Sequence, residues 1–155
     1  MFGLFIAVDE YESQAIPKLR GCKTDARSMM EILTRRFHVP SANFLFLADE
    51  RATRSAIISG FQKHLIENSN IQRGDAIVIF YAGHGSQTDA PSGWIADNGK
   101  VETICPYDER SIGNDGKEIF GIPDRTIGGL LRNLATNKGD NIVRITPRSV
   151  LFCFY

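Results

Sequence analysis

Two apolar runs, residues 2–8 and 76–81, offer no polar face to water. A strand tolerates that only when both of its faces are covered, as in a parallel sheet flanked by helices. The segments between and after them carry the helical period. Ala26, Met29, Met30, Leu33 and Phe37 recur at three- and four-residue spacing, as do Ile57, Ile58, Phe61 and Leu65, and later Ile127, Leu130, Leu131 and Leu134. With a further short run at residues 43–47, strands and helices alternate, which predicts an α/β fold with a mainly parallel sheet. Thr24 and Thr53 are the expected N-caps of the first two helices, Pro123-Asp124 the start of the third, and Gly139 its stop. Gly60, inside the second helix, costs about 1 kcal/mol relative to alanine.

Two regions break the pattern. Residues 86–121 show no strong period and read as one long loop. Asn141-Ile142 should open a fourth strand, but Arg144 and Pro147 argue against a central position. That leaves a domain over residues 1–142, a sheet incomplete on its C-terminal side, and an atypical tail over residues 143–155. Unless the apolar run at residues 150–155 replaces the missing strand, the third strand's edge is expected to be exposed and prone to association.

The 155 residues fit one domain, and 18 basic against 18 acidic side chains argue against a nucleic-acid surface or a polybasic membrane patch. The apolar start has no preceding Lys or Arg and meets Asp9-Glu10, so it reads as a strand and not a targeting segment. Three cysteines without CxxC spacing indicate neither a disulfide framework nor a zinc site, and a cytosolic setting is the default expectation. Asp97, Asp108, Glu109 and Asp115 follow no calcium-loop pattern and read as solvated loop acids.

His84 stands out because Gly83-His84-Gly85 follows the buried strand directly, at the edge where open α/β sheets hold their ligands. An imidazole there can take and return a proton. Gly85 leaves a backbone N–H open to a substrate oxygen, as an oxyanion hole requires. A turn histidine bonded to a neighbouring carbonyl is the plainer alternative. His38, at a helix end, and His64, beside an apolar stripe, read as structural. Asp25 either supports a helix N-terminus or receives a basic side chain. Cys105 reads as a small buried hydrophobe, and Cys153 lacks the glycine-rich turn that would expose a thiolate.

Leu4-Phe5-Ile6-Ala7-Val8, Leu19-Arg20-Gly21-Cys22-Lys23-Thr24-Asp25-Ala26, Ala52-Thr53, Gly74-Asp75, Tyr81-Ala82-Gly83-His84-Gly85-Ser86-Gln87 and Glu102-Thr103-Ile104-Cys105-Pro106-Tyr107-Asp108 together resemble the large-subunit region of caspase-like cysteine peptidases, above all fungal metacaspases. The resemblance implies a caspase-hemoglobinase three-layer sandwich. It also implies a Cys-His dyad with His84 as general base, an oxyanion N–H from Gly85, and cleavage of peptide or protein substrates after Arg or Lys. Cys22, Asp25 and Ala82 match positions of the primary specificity pocket, with Ala82 where serine is common. Arg20 does not match the arginine by which caspases grip aspartate.

After residue 142 the family's Asp-Cys-Cys-His-Ser-Gly motif does not follow. The chain as given is therefore expected to be inactive alone, with Cys153 a weak candidate nucleophile. The acidic cluster that binds calcium in many metacaspases is thinned around residues 96–100, so no cofactor is expected. A pseudo-peptidase that binds peptides or a homologous peptidase without cutting is the alternative.

Overall fold

The computed structural model describes residues 1–90, 93–94 and 98–146, and Asp97, Pro147, Cys153 and the run at 150–155 lie outside them. The expected alternation is present. β1 (Phe2–Ala7), α1 (Cys22–Phe37), β2 (Phe44–Ala48), α2 (Arg54–Ser59), β3 (Ile77–Ala82), β4 (Gly85–Asp89), β5 (Lys100–Ile104), β6 (Ile122–Pro123), α3 (Asp124–Lys138) and β7 (Ile142–Ile145) follow in order. The main sheet is parallel with strand order β2-β1-β3-β7, and β4-β5-β6 form a small antiparallel sheet beside it.

Alternate residues of the two central strands explain the three layers. Leu4, Ile6 and Val8 of the first strand segment, with Ile77, Ile79 and Tyr81 of β3, pack under Ile57, Phe61 and Leu65 and under Ile127 and Leu134 of α3. Phe5, Ala7, Val78, Phe80 and Ala82 face the other way, onto Ala26 and Leu33 of α1. This is the caspase-hemoglobinase-like α/β architecture, with helices on both faces of a mainly parallel sheet. No helix among the described residues is long and apolar enough to cross a membrane.

Thr53 caps α2 as expected, accepting the N–H of Ala56 at 3.2 Å. From Gly60 to Ile66 that helix continues with the wider π repeat. Gly60 is there for space: a Cβ would lie 3.1 Å from Leu4 and 3.2 Å from Leu45, so glycine lets the helix sit close to the sheet. His64 Nε2 lies 3.1 Å from the Gly3 carbonyl, a structural role. His38 closes α1 in the left-handed region, its N–H bonded to Leu33 O.

Four expectations need correction. Thr24 does not cap α1, which begins at Cys22 after Gly21 (φ 111°). Its first N–H groups are capped instead by Asp9 at the end of β1, with Oδ1 accepting from Cys22 at 2.9 Å and Oδ2 from Lys23 at 3.2 Å. Residues 86–121 are not a single loop, since they hold the β4–β5 hairpin. Its strands went unseen because β4 is polar and exposed on alternate residues, so no hydrophobic period marks it.

A fourth strand opens at Ile142 as expected and stands at an edge of the sheet among the described residues, but the third strand's edge is not left open. β7 pairs in parallel with β3 from Ile77↔Ile142 to Phe80↔Ile145, covering the edge expected to be open. Arg144 is tolerated because it is half-buried beside α3, where a long side chain can lay its stem on apolar surface. Finally, Asp108 and Glu109 are not solvated loop acids. Asp108 Oδ1 accepts the N–H of Arg54 at 2.8 Å, and Glu109 is only 6% exposed.

Candidate active site

β1 and β3 are in register from Phe2↔Ile77 to Ala7↔Ala82, and the Val8 N–H reaches the Ala82 carbonyl at 2.8 Å. Their carboxyl ends therefore coincide, so the residues after both strands meet at one rim. His84 sits on that rim with its backbone held from two sides. Its N–H donates to Tyr11 Oη at 2.8 Å, and its carbonyl accepts the Cys105 N–H at 3.0 Å. The Tyr81 hydroxyl lies 2.5 Å from the His84 carbonyl and 3.1 Å from that of Cys105. Burial pushes both tyrosine hydroxyls up, so they stay protonated and able to donate.

Gly83 is needed here for space. A Cβ at this position would lie 2.6 Å from the Tyr81 hydroxyl and 3.2 Å from that of Tyr11. Only glycine lets the two phenols close around the turn.

The imidazole is fixed as well. His84 Nε2 lies 2.8 Å from the carbonyl of Pro17, and the ring centroid is 5.4 Å from that of Tyr11. A carbonyl can only accept, so Nε2 carries the proton and the neutral ring keeps its lone pair on Nδ1. Such an imidazole can accept a proton at Nδ1 while the Pro17 carbonyl stabilises the cation that results. The Cys105 N–H to His84 O bond makes Gly85 and Ile104 a non-hydrogen-bonded pair of the hairpin. The Gly85 N–H thus points away from β5, and Gly85 is exposed.

Cys22 and Ala82 come together: both belong to the apolar cluster under α1, with Ala82 buried and Cys22 half-buried at the first helical position. Asp25 is exposed in the same first turn. Neither thiol among the described residues is poised for attack. Burial, then the Asp9 carboxylate, pushes the Cys22 thiol up to about 12. Cys105 is 3% exposed, and burial followed by the Glu109 carboxyl raises it further. At neutral pH both are thiols, not thiolates. Cys153 lies outside the described residues. No group of three or more His, Cys, Asp or Glu among the described residues is placed to hold a metal ion.

Several residues that build this rim carry no sequence signal of their own. Tyr11 and the Pro17 carbonyl are distant from His84 in sequence and act through single polar atoms. Asp49 is another: it adopts the left-handed region (φ 43°), is 6% exposed, and accepts the N–H of Asp9 at 2.9 Å and of Glu10 at 3.1 Å. Lys23 of α1 closes this network by an ion pair to Asp49. Burial drives the Asp49 carboxyl upward, but the Lys23 ammonium and the two N–H groups outweigh it and hold the group below its ordinary value. The loop of residues 9–21, which supplies Tyr11 and Pro17, is thereby tied at both ends. An aspartate placed directly after a strand was the one usable signal.

Comparison with known proteins bears on the family and the fold. The chain is 31% identical to metacaspase-3 of Arabidopsis thaliana over 100 residues, covering 61% of this chain and 27% of that protein. It is 33% identical to metacaspase-1 of Mycosarcoma maydis over 115 residues, covering 71% and 28%. It spans about a quarter of the length of the curated relatives it matches. A crystal structure of a Geobacter sulfurreducens protein superposes with a TM-score of 0.65 at 21% identity, over 94% of this chain and 48% of that one, which supports the fold. The family model of the metacaspase, peptidase C14 domain matches residues 3–136. The chain belongs to the metacaspase peptidase C14 family.

Proposed function

We propose that this chain supplies the base and oxyanion half of a cysteine endopeptidase that cuts peptides after Arg or Lys. His84 Nδ1 takes the proton of a thiol, the thiolate attacks the carbonyl carbon, and the imidazolium returns the proton to the leaving amine. The Gly85 N–H stabilises the oxyanion as it forms. The acyl-enzyme thioester is then hydrolysed by a water that His84 activates. The observation that carries this reading is the His84 Nε2–H bond to the Pro17 carbonyl, which leaves Nδ1 as the available base. The basic specificity in this reading rests on Asp25, exposed in the first turn of α1 near Cys22.

The nucleophile in this reading is neither Cys22 nor Cys105, both held as protonated thiols. That same observation favours a second reading, in which the chain binds peptides or a homologous peptidase without cutting. A panel of peptides ending in Arg, Lys, Asp or Leu, assayed for binding by fluorescence anisotropy and for turnover with and without calcium, separates them. Arg- and Lys-ended peptides should bind at least tenfold more tightly than the others. Turnover that is lost on Cys153→Ser and retained in Cys22→Ser excludes the second reading, whereas binding without turnover is what either reading expects of a chain that carries only the base and oxyanion half. Equal affinity for all four peptides, or turnover that needs Cys22, overturns the proposal.

A further inference from the structure

β4 starts at Gly85, the residue after His84, and is the outer strand of the small sheet, paired among the described residues on one side only, with β5. The phase of that ladder is fixed at both ends. The Cys105 N–H donates to the His84 carbonyl at 3.0 Å, and the Ala90 N–H donates to the Gly99 carbonyl at 2.8 Å. Residues 84, 86, 88 and 90 therefore turn their backbone polar groups toward β5. Gly85, Gln87 and Asp89, in non-hydrogen-bonded pairs with Ile104, Glu102 and Lys100, turn theirs outward. All three are exposed, and among the described residues nothing is bonded to their outward N–H and C=O groups.

Natural sheets guard such an edge with proline, lysine or a bulge, because it can take up another strand. β4 carries none of these guards. Its sequence is Gly-Ser-Gln-Thr-Asp, its register to β5 runs without a break, and its one charge, Asp89, stands at the far end, 3.5 Å from Lys100. Gly85 has no side chain to hold another backbone away. The outward row thus opens at the N–H assigned to the oxyanion and continues along the strand at the two-residue period.

We propose that the open edge of β4 binds the main chain of the substrate as an added antiparallel strand, over the five residues that precede the scissile bond. This rests on the reading of Gly85 as the oxyanion donor. With the basic residue counted first and its carbonyl on the Gly85 N–H, Gln87 lies opposite the third residue back and Asp89 opposite the fifth, each exchanging N–H and C=O with it. The second and fourth residues point their amides away. The antiparallel direction follows from His84: it sets the residue after the scissile bond, whose nitrogen must take the proton, opposite His84, whereas a parallel strand sets it one position further along β4. Recognition through main-chain bonds is blind to side chains, so the ligand class is an extended peptide segment of at least five residues, selective only for the basic one.

The test is fluorescence anisotropy with the full chain and a five-residue Arg-ended peptide in singly N-methylated forms. N-methylation of the third residue back should weaken binding about tenfold, and of the second or fourth by less than about twofold. In spectra of isotope-labelled protein, the unmethylated peptide should shift the Gln87 and Asp89 amides and leave those of Ser86 and Thr88, which face β5, largely unmoved. Equal affinity of the peptides methylated at the second and third residues overturns the inference, as do equal shifts at all four amides. Either result with a peptide that binds removes the added strand and leaves the peptidase reading standing. An Arg-ended peptide that does not bind overturns both.

Discussion

Asp9 Oδ1 accepts the backbone N–H of Cys22 at 2.9 Å, so a carboxylate two residues past β1 both caps the next helix and faces the thiol at its first position. After burial, the Asp9 carboxylate is the main reason that the thiol is pushed up to about 12. Asp9→Asn keeps an oxygen acceptor but removes the charge. Alkylation of Cys22 by iodoacetamide at pH 8, followed by mass spectrometry, should be slow in the parent chain and several-fold faster in Asp9→Asn. Equal rates would show that the carboxylate does not control the thiol.

Tyr11→Phe removes the acceptor of the His84 N–H while keeping the ring. The cost should be about 1–3 kcal/mol for an unpaired, partly buried donor. At roughly 2–4 °C per kcal/mol for a domain of this size, the melting temperature should fall measurably. Amide exchange at His84 should accelerate more than at Ile79, whose backbone lies within the parallel ladder. Uniform acceleration across β3 would mean that the phenol supports the sheet and not the turn.

Gly83→Ala should destabilise by about 1–3 kcal/mol through overpacking, because its Cβ would meet the Tyr81 hydroxyl at 2.6 Å. Combining it with Tyr81→Phe should recover part of that loss, since the clashing oxygen is gone. Denaturant unfolding of the single and double variants measures this, and strictly additive losses would contradict the contact.

Asp49 links stability to pH. Its carboxyl is held below the ordinary value in the folded chain, so its contribution is present above the unfolded-state value of about 3.9 and is lost as pH falls through the lower folded value. Asp49→Asn should therefore be less stable than the parent at pH 7, with the difference shrinking toward pH 3. Thermal melts of both chains at four or five pH values check this. A gap independent of pH would assign the loss to packing alone.

The parts of the fold that were legible in sequence are those where burial imposes a period. β1, β3, the stripe of α3 and the Thr53 cap follow from local patterns, and the likeness of 81–87 to the metacaspase histidine motif identified the family. What stayed hidden was built by contacts between distant residues. The start of α1 depends on Asp9, thirteen positions earlier, so Thr24 looked like the cap. Polar β4 has no hydrophobic face to announce it, and Arg144 reads as a strand breaker unless its flank beside α3 is known. Glu109 looked like a loop acid because nothing local shows that the turn after β5 folds inward.

The central claim is that the His84 rim receives a peptide ending in a basic residue. Adding an Arg-ended peptide to isotope-labelled protein and recording amide and imidazole resonances tests it most directly. The account predicts that shifts cluster at His84, Gly85, Cys22 and Asp25, and that an Asp-ended peptide leaves them in place. Unmoved His84 and Gly85 resonances at saturating Arg-ended peptide would contradict it.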